Sequence, residues 1–87
     1  MTSNVIDVLK ETMRRELETS LGSVELWKSQ HEKYRDSSSY RNYSRALVKA
    51  ITVANTCIHV FQMYDEAYTV AVLVSDLDEL DQEMIKG

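Results

Sequence analysis

The sequence predicts an all-α fold: a long helical hairpin and a short C-terminal helix, packed into an oligomeric helical bundle. Three observations carry this. Residues 44–74 contain no glycine or proline and present apolar side chains on nearly every side, whereas a helix covered on one flank needs only one apolar stripe. Residues 6–34 repeat apolar side chains at alternating steps of three and four, the spacing of one helical face. With two glycines and no proline in 87 residues, the chain lacks the turns that fold strands back on one another.

The first helix is expected over residues 4–35, opened by Asn4 and Asp7 at capping-box spacing. Its stripe is Ile6, Leu9, Met13, Leu17, Leu21, Val24 and Trp27, continuing through His31 and Tyr34. Gly22 lies inside this stripe, where glycine costs about 1 kcal/mol relative to alanine. The stripe stays in phase across it, so one long helix is predicted. Residues 36–39 (Asp36-Ser37-Ser38-Ser39) offer side chains that compete with backbone hydrogen bonds and read as the turn. Asp36 or one of the serines is expected to cap the second helix.

That second helix is predicted over residues 40–74. Its seam runs Tyr40, Tyr43, Leu47, Ala50, Ala54, Cys57, Phe61, Tyr64, Tyr68, Ala71, with further apolar stripes beside it. Asp65-Glu66 is a weak interruption, and the seam passes through it in phase. Residues 67–74 are β-branched enough to suit a strand, but without a turn to pair it the helix is preferred. Ser75-Asp76-Leu77-Asp78 carries the strongest capping signature, with acids opposing the positive end of the helix dipole. A third helix over residues 76–86 is therefore expected, with Leu77, Leu80 and Met84 on one face.

This length allows one domain, and so small a chain buries only about 60–65% of its unfolded surface, which makes a monomer marginal. The single Cys57 excludes an internal disulfide and a cysteine-built metal knuckle. The start, Met-Thr-Ser-Asn-Val-Ile-Asp, lacks the pattern of a secretory signal. The longest uncharged run, residues 50–64, falls short of the ~20 apolar residues of a membrane span. A cytoplasmic protein with no membrane contact is expected.

Catalytic signatures are missing from the pattern. His31-Glu32 opens like a zinc-protease helix, but Arg35 stands where the second histidine belongs. Cys57 and His59 point about 160° apart on a helix and cannot pair as nucleophile and base. The expectation is no enzyme, no cofactor and no metal.

Charge is the informative pattern. Between residues 28 and 49 six cations face two acids, and between 65 and 86 seven acids face one cation, although the whole chain carries −4. Such separation marks a partner surface or two parts of one assembly. Arg41, Arg45 and Lys49 recur at i, i+4, i+8 with no acid within four residues. With Tyr40, Tyr43, Lys28 and Arg35 they form a basic, tyrosine-rich hairpin corner, a mixture that suits phosphates and stacked bases. Asp76, Asp78, Glu79, Asp81 and Glu83 form the acidic counterpart. On a straight second helix Arg41 and Ser75 stand roughly 50 Å apart, beyond the ~16 Å reach of a third helix folding back. The counter-charges would then come from another protomer.

The function expected from these features is a non-enzymatic protein–protein interaction module, an adaptor or inhibitor acting as a homo-oligomer. The alternative is a small oligomeric protein that sequesters nucleotides or phosphates at the basic corner, of a kind that would suit a phage or mobile-element inhibitor. Duplex nucleic acid is disfavoured by the net negative charge.

Overall fold

The computed structural model describes residues 2–86, with side chains described from Val5 onward. Three helices follow one another: α1 (Thr2–Tyr34), α2 (Ser37–His59) and α3 (Ala67–Lys86), the last entered through a single 3-10 turn at Tyr64–Glu66. No strand occurs among the described residues. The fold is the long hairpin plus C-terminal helix that the spacing predicts, drawn out to 54 × 18 × 14 Å.

α1 is continuous through Gly22, whose exposed position leaves open space where a side chain would stand. It starts at Thr2, so Asn4 lies within the helix; the cap expected of its side chain falls outside the described side chains. The stripe is buried where α2 covers it, at Leu17, Val24 and His31, with Ser20 alongside. The Ser20 hydroxyl donates to the Glu16 carbonyl at 2.9 Å, which satisfies it inside the core. Because α1 has 33 residues and α2 only 23, the first turns of α1 overhang, and Val5, Ile6, Val8 and Leu9 stay exposed.

The turn is shorter than predicted. α1 ends on Arg35, whose φ of 51° reverses the chain, with its amide donating to the His31 carbonyl at 2.9 Å. That is a left-handed C-cap built without glycine. Asp36 then caps α2: its carboxylate accepts from the Ser39 amide at 2.7 Å, and the Ser39 hydroxyl accepts from the Asp36 amide at 3.2 Å. The Ser39 amide's hydrogen bond to the carboxylate, foremost, holds the Asp36 carboxyl below its usual range.

The second helix predicted over residues 40–74 is in fact two. α2 stops at His59, and the chain turns at Gln62, whose φ is 58°. The Met63 amide reaches back over the turn to the Cys57 carbonyl at 3.0 Å, a closure one residue wider than the 6→1 bond of a Schellman motif, and Met63 and Cys57 pack in one apolar cluster. The seam accordingly holds from Tyr43 to Cys57 and fails beyond it: Tyr64, Tyr68 and Ala71 are exposed. Ser75, predicted to cap a third helix over 76–86, lies exposed inside α3.

α2 is the middle element. Both α1 and α3 pack on it, while no Cα of α1 comes within 8 Å of α3. Its small core residues Ala46, Ala50 and Ala54 allow two neighbours to approach one helix. Toward the hairpin corner Val24, Tyr43, Leu47, Leu73 and Leu80 form one cluster. Toward the other end Leu17, Ala54, Cys57 and Met63 form a second. No helix is long and apolar enough to cross a membrane among the described residues.

Candidate functional site

The break at Gln62 decides the electrostatics. It folds α3 back along α2, so its acidic end arrives at the hairpin corner of the same chain. Arg35 donates to Glu83 Oε1 at 2.6 Å, and the Tyr40 hydroxyl donates to Asp81 Oδ1 at 3.1 Å. The straight helix to residue 74, on which the roughly 50 Å separation of Arg41 from the third helix rested, is therefore corrected: α3 folds back and its acids meet Arg35 and Tyr40, while Arg41, Arg45 and Lys49 make no ion pair among the described residues. Donation to Asp81 raises the Tyr40 phenol above its usual pKa.

His31 sits behind these contacts, 4% exposed. The Ser39 hydroxyl lies 3.0 Å from the Asp36 carbonyl and 3.3 Å from His31 Nδ1. Nε2 faces Glu83 Oε1 at 3.5 Å and has no hydrogen-bond partner among the described residues. Lys28, Glu32, Asp76 and Glu79 surround the cleft outside it, a space of about 150 Å³ between α1 and α3. Tyr43 lies at its base, and its pKa is pushed up to about 12, first by burial and then by Asp76, Glu32, Glu79 and Glu83. Four carboxylates converge on one phenol. Among the described residues no group of three or more His, Cys, Asp or Glu is placed to hold a metal ion.

Farther along the same α1/α3 gap the lining turns apolar: Leu21 faces Tyr68, Thr69, Val72 and Leu73 around a space of about 160 Å³. Tyr68 is 78% exposed and Val72 40%. Sequence reasoning missed the α1 rim of this groove. Glu18 and Glu25 neighbour Leu21 at i−3 and i+4, and with Glu32 they recur every seven residues, a spacing visible in the sequence. All three are exposed and, among the described residues, make no ion pair; the same holds for Asp76 and Glu79 on the other side, of which Glu79 is exposed. Lys28 is a cation on the α1 side, and Arg35 is already engaged by Glu83.

The basic row behaves differently. Arg41, Arg45 and Lys49 are exposed and make no ion pair among the described residues. They point about 150° round α2 from its buried seam, while Tyr43 is turned into the core. The predicted corner therefore separates: Lys28, Arg35 and Tyr43 line the α1/α3 cleft, and Arg41, Arg45 and Lys49 occupy the outer face of α2. Asp78 is exposed on α3 and makes no ion pair among the described residues. No protein-family model, curated protein sequence or solved structure matches this chain.

Proposed function

We propose that the protein is a non-enzymatic interaction module, an adaptor or inhibitor, that receives a basic amphipathic helix in the groove between α1 and α3. The observation that carries this reading is the groove itself: an apolar floor from Leu21, Val72 and Leu73, open because α1 and α3 do not close on each other. Its rims are acidic, with Glu18, Glu25 and Glu32 on one side and Asp76 and Glu79 on the other. A helix laid in such a groove buries an apolar stripe and sets flanking cations against the rims. The phosphate-sequestering alternative draws less support, because Glu83 and Asp81 already supply carboxylates to Arg35 and Tyr40.

The test uses two helical peptides with one leucine stripe, one flanked by lysine and arginine, the other by glutamate. Fluorescence anisotropy should give micromolar binding, about −8 kcal/mol, for the basic peptide alone, weakened by salt and abolished by Val72→Glu. Equal binding of both peptides, or binding indifferent to Val72→Glu, rejects the groove.

A further inference from the structure

We infer that the helix the groove receives is α2 of a second copy of this chain, entering by its outer face with Arg41, Arg45 and Lys49. The inference rests on the proposed groove and names its occupant. Both halves of the contact are on one molecule and unsatisfied there. The basic row has no counter-charge in its own chain among the described residues, although α3 has folded back and brought its acids to the corner. The groove rims hold carboxylates that are equally unpaired.

Shape agrees with charge. Tyr43, Ala46, Leu47 and Ala50 of α2 share one core cluster with Val24 of α1 and with Leu73 and Leu80 of α3, while Arg41, Arg45, Val48 and Lys49 are exposed, so the far side of α2 is a convex ridge and the gap between α1 and α3 is concave. Spacing agrees as well. Arg41 to Lys49 spans about 12 Å of helix rise, and Glu25 to Glu32 on the α1 rim spans about 10.5 Å. Val48, 50% exposed beside the row, offers an apolar contact to the floor. Ridge and groove lie on opposite faces, so the contact is heterologous: each copy presents a groove to one neighbour and a ridge to the next, and the stack extends past a dimer.

The experiment is analytical ultracentrifugation of the full chain and two charge-reversed variants, Arg41→Glu/Arg45→Glu on the ridge and Glu25→Lys/Glu79→Lys on the rims. All four positions are exposed, and circular dichroism verifies that each variant is folded. Wild type should grow with concentration beyond dimers at low salt and dissociate at high salt. Each variant alone should be monomeric, since it presents like charges on both surfaces. Mixing the two restores opposite charges at every contact and should restore assembly beyond the dimer. A wild type that stays monomeric at low salt overturns self-occupancy while leaving the peptide result to stand for the groove. Variants that do not reassemble when mixed, or a mixture that stops at a dimer, overturn the stacking geometry.

Discussion

Replacing Gln62 by glycine should stabilise the protein, although glycine within a helix does the reverse. Gln62 has a φ of 58°, a region where an L-residue pays roughly 1–2 kcal/mol. Glycine removes that strain and gives back part of the gain, about 0.5–1 kcal/mol, through its greater freedom in the unfolded chain. Taken at the middle of both ranges, the net gain is about 0.5–1 kcal/mol. For a domain of this size it corresponds to a rise in Tm of about 2–8 °C. Thermal unfolding followed by helical circular dichroism measures it, with Thr52→Gly as the reference. Thr52 lies inside α2 and is exposed, and glycine there should lower stability by a few tenths of a kcal/mol up to about 1 kcal/mol. Were the chain helical without interruption from residue 40 to 74, both substitutions would be destabilising. A Tm for Gln62→Gly that falls alongside Thr52→Gly therefore refutes the left-handed turn at Gln62 and the fold-back that depends on it.

Two further outcomes concern the core. Leu47 is 0% exposed at the centre of the corner cluster, and Leu47→Ala should cost about 2–5 kcal/mol by urea titration; a loss under about 1 kcal/mol would contradict its placement. The second arises at alkaline pH. Tyr43 ionises near 12 in the folded chain against about 10 when unfolded, so the unfolded state releases its proton first. Its contribution is complete below pH 10 and is lost as pH rises from 10 to 12. Cys57 and Tyr40, also raised, add losses of the same sign. Tyr43→Phe should flatten the decline of the urea midpoint across that window, and an unchanged slope would count against a buried phenol.

The sequence exposes the hairpin well because its evidence is periodic. The stripe from Met13 to His31 and the seam from Tyr43 to Cys57 each persist over several turns, and each meets its counterpart as the spacing requires. The turn at residues 60–63 leaves no comparable trace. Its left-handed position is held by glutamine, where glycine or asparagine would have announced it, and the apolar phase resumes beyond it. Only Asp65-Glu66 hints at the interruption, and it sits in the 3-10 turn just past the break. The same omission scattered the candidate site. Arg35, Tyr40, Asp81 and Glu83 all stand out by residue type, but which of them meet depends on where the chain reverses. Once that reversal is placed, the acids fall beside Arg35 and Tyr40, and the row at Arg41, Arg45 and Lys49 is left outside.

The two connections are both short and join helices adjacent in sequence, since α1 packs on α2 and α3 packs on α2, with no Cα of α1 within 8 Å of α3 among the described residues. Little chain entropy is spent on closing distant loops, because Arg35 and Asp36 alone join the first pair of helices and residues 60–66 join the second. Such a topology belongs with the low-contact-order proteins that reach their native arrangement in microseconds to milliseconds. A nascent chain can seat α1 on α2 before α3 has been made, and the acidic surface that α3 brings is added last.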